Sequence, residues 1–258
     1  MDAELVRRGL APSRQRAREL VENHKVRVNG TYADKTARLV DRGDAIEIEG
    51  DRPAFVSRGG QKLAGALDAF DIDPTDMRCL DAGASTGGFT DCLLQRGAAE
   101  VVAVDVGYGQ LHESLVGDPR VRNEERTNIR HLQPGDLGDP VDLVVGDLSF
   151  ISLRLLLGPL VGLARPAASL VLLVKPQFEA GRREVSRGNG VVKDPAVWRR
   201  VLEEVADAGD VAGAGVGEAA VSPIRGGSGN VEFLYRFVVG AERAAIDLDA
   251  LVASVSDS

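Results

Sequence analysis

Cysteine, aromatic residues and long apolar runs are all scarce in this chain of 258 residues. Its two cysteines, Cys79 and Cys92, are too few for a disulfide framework and lack metal-ligand spacing, so both are predicted to be small core residues. No apolar run reaches the length of a membrane-spanning helix, and no leader-like segment opens the chain. We therefore expect a cytoplasmic protein with no membrane segment and no bound metal.

Positive charge is also in short supply, but its distribution is uneven. The formal net charge is −8, whereas residues 1–38 carry nine Lys or Arg and five Asp or Glu, a net charge of +4, which leaves −12 for the rest. A basic head on an acidic body is typical of an RNA-docking module attached to an enzyme. A solvated, charged helix face is the alternative interpretation. The length and the 44% hydrophobic content allow one large and one small domain.

The basic head is predicted to be a small α+β unit. A short helix over 2–8 precedes a second helix whose N-cap is Ser13, and a strand near 25–28 follows. Arg14 and Arg18 share one face of the second helix because they are four residues apart. Cations on these elements are predicted to form one positive surface for RNA phosphates: Arg7, Arg14, Arg18, Lys25, Arg27 and Lys35.

Strands and helices alternate along the rest of the chain, which is typical of a doubly wound α/β sheet. Seven strands are predicted, near 77–82, 100–104, 120–123, 141–146, 169–174, 215–222 and 231–239. Helices are predicted near 58–70, 88–96, 110–116, 152–164, 194–208 and 246–255, with Ser57 as the N-cap of the first. The last two strands join without a helix, so the last strand is expected to run antiparallel. The predicted divisions are an RNA-binding domain over 1–50, a linker over 51–56 and a catalytic domain over 57–258.

A loop of small residues follows the first strand of the large domain. The strand ends at Asp81, residues 82–88 are Ala, Gly, Ser or Thr, and a helix begins directly after them. Strand, small-residue turn and helix is the arrangement that brings backbone close to a nucleotide-like ligand. The spacing is not G-x-G-x-x-G, and no Lys-Ser/Thr pair follows, so neither a dinucleotide site nor a P-loop is indicated. With Asp105 at the end of the next strand to hold a ribose diol, the pattern favours an adenosine ligand without phosphates; an empty turn is the alternative.

Charged residues emerge at the same edge of the predicted sheet. Asp147 and Lys175 each follow a buried strand directly, and the carboxyl ends of parallel strands form the ligand-binding edge of such folds. Glu232 begins the antiparallel strand, and Lys62 lies early in the helix before the first strand, so topology brings both to this edge. A lysine close to a second lysine gives up its proton more readily. Such a group can act as a base for a ribose hydroxyl, with neither metal nor covalent intermediate.

Six motifs carry a resemblance to a known family. They are SRGGQKL (57–63), DAGASTGGFTD (81–91), DLSFISL (147–153), LVKPQFE (173–179), GVVKD (190–194) and SPIRGGSGNVEF (222–233). These motifs resemble those of the TlyA family, bacterial rRNA 2′-O-ribose methyltransferases that are also labelled haemolysins and have an FtsJ-like catalytic domain. The first 50 residues resemble the small RNA-binding module of a ribosomal protein and of many pseudouridine synthases.

The resemblance implies a Rossmann-like class I methyltransferase fold with S-adenosyl-L-methionine as cofactor and ribosomal RNA in a ribosomal subunit as partner. It implies a catalytic tetrad of Lys62, Asp147, Lys175 and Glu232, with Lys175 as general base, and a cytidine as the target. It places the cofactor at Gly83, Ser85, Thr86, Gly87, Gly88, Phe89 and Asp105. The short N-terminus favours the large subunit alone. No protein partner is predicted, and a monomer is expected.

The segment over 177–193 is predicted to be a mobile loop that closes over RNA, with Arg182 and Arg183 as contacts. A merely solvated loop is the alternative.

Other classes of protein fit the sequence less well. The amino-methylating enzymes of this fold need a proline-rich motif where this chain has Asp147-Leu148-Ser149-Phe150. Cytosine-C5 enzymes need a cysteine at a strand end, a pseudouridine synthase needs no glycine loop, and a pore-forming haemolysin needs a membrane-competent segment. A non-catalytic ribosome-binding factor remains open, because it would keep the basic head.

Overall fold

The computed structural model describes residues 1–11, 13–41, 43–48 and 54–257, and for positions 182, 183, 187, 256 and 257 it describes the main chain. These residues form two compact units, Met1–Ala54 and Phe55–Ser258, which we call the N-terminal and C-terminal units. Half of the predicted linker, residues 51–53, lies outside the described residues, so the linker stays a prediction.

The N-terminal unit is a small α+β fold. Its elements are α1 (Asp2–Arg7), α2 (Arg14–Glu22), β1 (Val26–Val28), β2 (Thr31–Tyr32) and β3 (Ile46–Ile48), and the sheet order is β2-β1-β3. As predicted, Ser13 is the N-cap of α2, and its side chain accepts from the Arg16 N–H. Asn29 and Gly30 both have positive φ, 50° and 79°, which is the turn that joins two tightly paired antiparallel strands. A core that includes Leu5, Ala17 and Val26 closes the unit.

The C-terminal unit is a doubly wound sheet with helices on both faces. Its strands are β4 (Arg78–Ala82), β5 (Glu100–Val104), β6 (Val121–Glu124), β7 (Val141–Gly146), β8 (Ala164–Val174), β9 (Ala214–Val221) and β10 (Phe233–Val239). Its helices are α3 (Gly59–Ala69), α4 (Gly88–Gln95), α5 (Glu113–Val116), α6 (Leu157–Leu163), α7 (Pro176–Glu179), α8 (Arg182–Arg187), α9 (Pro195–Ala212) and α10 (Leu248–Ala253). The sheet order is β6-β5-β4-β7-β8-β10-β9, and β10 runs antiparallel to both of its neighbours, which confirms the predicted architecture.

The sheet separates two hydrophobic cores because successive side chains of a strand point to opposite faces. In β4, Leu80 and Ala82 join the core that contains α6, α9 and α10, whereas Cys79 joins the core that contains α3 and α4. Cys92 lies in that second core too. Both cysteines are free and fully buried, as predicted, and burial raises the pKa of each thiol to about 12.

Three local predictions need correction. Ser57 is not the N-cap of α3, because that helix begins at Gly59 with Arg58 as its N-cap. The helix predicted over 152–164 is a 3-10 turn (Leu153–Leu155) followed by α6, because Pro159 is tolerated in a first turn but not in a helix interior. The segment predicted as a loop over 177–193 contains α7 and α8, the first of them with Pro176 at its first helical position.

Helices α3 and α4 meet at a point where only glycine fits. A Cβ on Gly88 would lie 2.1 Å from the Ser57 Oγ and 2.9 Å from the Gly60 backbone nitrogen. A Cβ on Gly60 would lie within 2.6 Å of three atoms of Phe55. The absence of side chains at these glycines therefore sets how closely the two helices approach. In the part of the chain that the structure describes, no helix is both long and apolar enough to span a bilayer.

Replacing Ser13 with Ala is expected to destabilise α2 by about 1 kcal/mol, because the N-cap bond to the Arg16 N–H is lost. Amide hydrogen exchange of α2 in the full-length protein is the measurement, and its rate should rise about fivefold, the factor that this energy corresponds to. Ser13→Thr is the matched control, since it keeps the hydroxyl. Equal exchange in the Ala and Thr variants would contradict the assigned cap.

Replacing Gly88 with Ala is expected to lower the melting temperature, with a loss of about 1–3 kcal/mol from overpacking. The sign is opposite to the usual gain of about 1 kcal/mol for Gly→Ala in a helix. Ser57→Ala alone should change little. The double variant Ser57→Ala/Gly88→Ala should recover part of the loss, because it removes the contact at 2.1 Å and keeps the one at 2.9 Å. A Gly88→Ala variant as stable as the wild type would refute the packing argument.

Candidate active site

A cavity of about 570 Å³ opens at the carboxyl edge of the parallel strands. Its walls come from the small-residue loop after β4, from the segments after β7 and β8, and from the segment before β10. All four residues of the predicted tetrad line it. The topology argument made from the sequence is therefore confirmed at the level of position: Lys62, Asp147, Lys175 and Glu232 lie at one site.

Each tetrad residue is supplied by a different element. Lys62 lies in the first turn and a half of α3, Asp147 follows β7, Lys175 follows β8, and Glu232 precedes β10. Both lysines and Glu232 are buried, with exposed fractions of 8%, 5% and 3%. Charges removed from water to this degree are retained only with close partners of opposite sign. The contacts within the tetrad therefore determine its stability.

Asp147 bridges the two lysines. Its Oδ2 lies 3.0 Å from the Lys62 Nζ, and its Oδ1 forms an ion pair with the Lys175 Nζ. The Lys62 Nζ also lies 2.7 Å from the Glu232 Oε2. Lys62 thus contacts two carboxylates and Lys175 contacts one. The Lys175 Nζ donates a hydrogen bond of 2.8 Å to the Ser149 Oγ instead.

Opposing effects act on the pKa values of the bridge. Burial raises the pKa of Asp147, but the charges of Lys175 and Lys62 outweigh burial and leave that pKa lowered. Burial lowers the pKa of Lys62, but Asp147 and Glu232 outweigh it and leave that pKa raised. Both groups therefore remain charged at neutral pH, and the bridge persists as an ion pair.

The small-residue loop after β4 is closely packed from outside. Gly83 and Gly87 have φ of 81° and 94°, which only glycine adopts without strain. A Cβ on Gly87 would lie 2.3 Å from Leu115, and one on Gly83 would lie 3.0 Å from Leu148. Neither glycine can therefore be replaced without strain and a clash with a neighbouring leucine.

The predicted cofactor residues divide into two groups. Five of them line the cavity: Gly83, Ser85, Thr86, Gly88 and Phe89. The other two shape the loop. Gly87 faces Leu111 and Leu115, and Asp105 accepts from the Ser85 N–H at 2.9 Å and from the Gly107 N–H at 2.7 Å. Asp105 thus ties the loop to the end of β5, and each carboxylate oxygen keeps a second lone pair for another donor.

Asp81 is a site residue that the sequence reasoning missed. It lines the cavity, is 1% exposed, and accepts from the Thr90 N–H and hydroxyl through its Oδ2. Its Oδ1 has no hydrogen-bond partner in the described part of the chain. Burial raises the pKa of this carboxyl to about 7, and the nearby charges of Asp147 and Asp105 add to the rise. In the sequence, the position of Asp81 directly before the glycine loop could have indicated a residue of the site, but Asp81 was interpreted only as the end of a strand.

Glu179 was missed as well, although it lies in a quoted motif. It is buried, and its carboxylate accepts from the Ser152 Oγ at 2.5 Å and the Leu153 N–H at 2.6 Å. Burial raises the pKa of Glu179 against the effect of these bonds. These contacts connect the segment after Asp147 to the helix after Lys175.

The exposed ring of Phe150 lies 5.1 Å from the ring of Phe178, and the two rings form an aromatic surface on which a base can stack.

The predicted RNA contacts of the N-terminal unit are partly neutralised by its own acids. Arg14 and Arg18 both pair with the buried Asp2, at 3.1 Å and 3.2 Å, and Arg7 bonds to the Glu4 carboxylate. The other three residues predicted to contact RNA are Arg27, Lys25 and Lys35. The Arg27 guanidinium lies 4.5 Å from the Tyr32 ring centroid, and Lys25 and Lys35 are exposed. The side chains of Arg182 and Arg183 lie outside the described part of the structure.

No group of three or more possible metal ligands occurs among the described residues.

Comparisons with known proteins identify both units. An FtsJ-like methyltransferase model matches residues 55–238, and an S4 domain model matches residues 2–46. The chain is 54% identical to the 16S/23S rRNA (cytidine-2′-O)-methyltransferase TlyA of Mycobacterium tuberculosis, over 95% of this chain and 91% of that protein. It is 31% identical to the 23S rRNA (cytidine-2′-O)-methyltransferase TlyA of Campylobacter jejuni, over 88% of this chain and 94% of that protein.

A solved structure agrees with these matches. A Streptococcus thermophilus protein named as a hemolysin superposes with a TM-score of 0.80 at 38% identity, over 99% of this chain and 94% of that one. The predicted fold class, a class I methyltransferase sheet with a small RNA-binding domain before it, is confirmed by the two family models and the strand order. The chain therefore belongs to the TlyA family of rRNA 2′-O-methyltransferases, enzymes that join an S4 domain to an FtsJ-like methyltransferase domain.

Proposed function

We propose that this chain methylates the 2′-hydroxyl of a cytidine in ribosomal RNA, with Lys175 as the general base of a Lys62-Asp147-Lys175-Glu232 tetrad. The observation that carries the proposal is the bridge that Asp147 forms between two buried lysines at the edge of a glycine-lined cavity. An oriented amine beside a ligand cavity is what a base for a ribose hydroxyl requires.

The cavity suits S-adenosylmethionine, the cofactor that the family implies. Gly83 and Gly88 leave the loop backbone free of side chains, and Asp105 offers lone pairs to a ribose diol. The unpartnered Oδ1 of the buried Asp81 suits an ammonium group, because a buried carboxylate is stabilised by a charged donor. When bound, the cofactor supplies a methyl group on a positively charged sulfur. The residues of the chain supply position and proton transfer.

Lys175 is the better placed of the two lysines to accept a proton. Lys62 contacts two carboxylates, and its raised pKa keeps it charged. Lys175 contacts one carboxylate and the Ser149 hydroxyl. The Asp147 carbonyl is a third and more distant acceptor, at 3.5 Å. A neutral amine has two N–H groups, which the two nearer acceptors would hold, so that its lone pair is free for the ribose hydroxyl. Asp147 then fixes the orientation of Lys175, and Lys62 with Glu232 fixes Asp147.

The S4 unit would dock the enzyme on the ribosomal subunit through Arg7, Arg14, Arg18, Lys25, Arg27 and Lys35. Pairing with Asp2 holds Arg14 and Arg18 close together, and it also removes part of their charge. Arg182 and Arg183 would contact the RNA nearer the active site. The names of the two relatives differ in whether 16S rRNA is included, so the choice of subunit has to be measured.

Replacing Lys175 with Ala is expected to lower methyl transfer about 10²- to 10⁴-fold, the range for loss of a general base. The measurement is transfer of labelled methyl from S-adenosylmethionine to unmodified naked rRNA and to each ribosomal subunit. Cofactor affinity and RNA affinity should stay close to wild type. Nuclease digestion should locate the wild-type label on a ribose.

The matched control is Arg165→Gln, an exposed cation at the opposite edge of the sheet. Full activity in Lys175→Ala would eliminate the assigned base. Absence of label on every RNA, with cofactor and RNA both bound by the wild type, would favour a non-catalytic ribosome-binding factor. Label on both subunits would overturn the expectation of the large subunit alone.

The affinity for S-adenosylhomocysteine is expected to rise with pH from 5.5 to about 7 and then level off. Only the ionised form of Asp81 pairs with an ammonium group, and the pKa of this carboxyl is about 7. Below that value the affinity should change about tenfold per pH unit, the factor for a single ionisation. In Asp81→Asn the affinity should be weaker at pH 7.5 and independent of pH. Calorimetric titration across this range is the measurement.

The stability of the ligand-free protein supplies the independent check. Because the folded pKa of Asp81 lies above the usual 3.8, stability is retained below about pH 4 and lost as pH rises through about 7. Asp81→Asn should therefore melt higher than wild type at pH 8 and close to it at pH 4. A wild-type affinity that does not change with pH would remove Asp81 from the cofactor site.

A further inference from the structure

A second cavity, of about 290 Å³, lies in the C-terminal unit behind one wall of the first. It is lined by Val191, Val192, Lys193, Trp198, Arg225, Gly229, Val231 and Val255. Its floor is apolar, and two cations stand at its rim. A recess of this size is at the lower limit for a small-ligand site, so it fits a single small group better than a whole cofactor.

The wall between the two cavities is a tight turn and the residues that lead from it into β10. Gly229 has φ of 85°, and its N–H donates to the Gly226 carbonyl at 2.8 Å. Ser228, Asn230 and Glu232 line the first cavity, whereas Gly229 and Val231 line the second. The turn and the two residues after Asn230 therefore separate the two cavities. A strand of RNA with its target ribose beside Glu232 has only this segment to cross before it reaches the second cavity.

Asn230 makes the wall rigid. It is 2% exposed, its Oδ1 accepts from the Val192 N–H at 2.9 Å, and its Nδ2 donates to the Gly190 carbonyl at 2.9 Å. The same side chain thereby fixes the segment before β10 and the segment before α9. Lys193 follows that second segment directly, so its backbone position is set by the same clamp.

Lys193 and Arg225 are exposed, and neither has an ion-pair partner among the residues that the structure describes. Several exposed arginines of the C-terminal unit do pair with a carboxylate, whereas Arg58, Arg126 and Arg130 are exposed without an ion pair among the described residues. The pairs are Arg120–Asp118, Arg154–Glu204, Arg165–Asp142, Arg199–Asp249 and Arg200–Glu204. In an acidic unit, two unpaired cations at one rim form a local site for an anion.

We propose that the rim of the second cavity binds a phosphodiester of the RNA strand, next to the nucleotide whose ribose occupies the tetrad. Lys193 and Arg225 hold the phosphate, and the apolar recess with Trp198 at its base accommodates the adjoining sugar or base. Cations along a groove with apolar and aromatic surface between them are the usual means of holding a single strand. The proposal rests on the proposed function, since it takes the RNA strand from the methylation site.

The contact would act on binding and position, not on proton transfer. Neither cation belongs to the tetrad or to the cofactor loop. We therefore expect their loss to change the KM for RNA while kcat and cofactor affinity stay near wild type. A phosphate contact also leaves a signature in salt dependence, because each neutralised phosphate of a single strand contributes about 0.7 to the slope of log affinity against log salt.

The test is the double variant Lys193→Gln/Arg225→Gln in the full-length protein, with naked rRNA as the probe. RNA affinity is measured by filter binding from 50 to 300 mM salt, and methyl transfer is measured in parallel. The expected result is a salt slope reduced by about 0.7 to 1.4 for one or two lost contacts, with a raised KM and unchanged kcat. Arg120→Gln/Arg165→Gln removes the same charge at the opposite edge of the sheet and should leave the slope unchanged.

Three results would overturn the proposal. They are an unchanged slope and KM in the double variant, an equal change in the control variant, or a defect on intact subunits with none on naked rRNA, which would indicate a protein partner. Failure of the proposed function looks different, because wild-type enzyme would then transfer no methyl to any RNA. Filter binding still tests the two cations in that case, since it does not depend on catalysis.

Discussion

The active site depends on one constraint, the need of a buried charge for a partner. Two lysines lie almost completely out of water, and Asp147 is the only residue of the tetrad that contacts both of them. Two cations and two carboxylates keep the cluster near neutrality, which is what makes its burial tolerable. The two lysines differ in the number of carboxylates that they contact. Lys62 has two carboxylate partners and Lys175 has one, and the proposed role of Lys175 as the base rests on this difference.

Topology brings these four residues together, because the carboxyl ends of the parallel strands and the start of the antiparallel β10 share one edge. This is why their convergence could be predicted from order along the chain. The strands themselves were predictable for a related reason: β5 is apolar from Val101 to Val104 and β7 from Leu143 to Val145, as strands buried on both faces must be. The end of an apolar run directly before a charged residue marked Asp147 and Lys175.

The contacts made by side chains across the fold could not be predicted in the same way. Glu179 bonds to Ser152, and Asn230 bonds to Val192, each over a long sequence separation that leaves no local pattern. The pairing of Arg14 and Arg18 with Asp2 shows the limit of charge counting. Spacing on a helix placed the two arginines on one face correctly, but only the structure reveals that an acid from α1 lies between them. Asp81 was visible in the sequence, yet its burial was not.

The antiparallel insertion of β10 also has a consequence for biosynthesis. The cofactor loop, Asp147 and Lys175 all precede α9, whereas Glu232 and the clamp residue Asn230 are added near the end of the chain. A ribosome-bound chain that has emerged only as far as β8 would hold two lysines and one carboxylate at the sheet edge, an excess of buried positive charge. The tetrad reaches electrical balance only when β10 pairs between β8 and β9. A chain that lacks β10 therefore lacks the carboxylate that balances the second lysine.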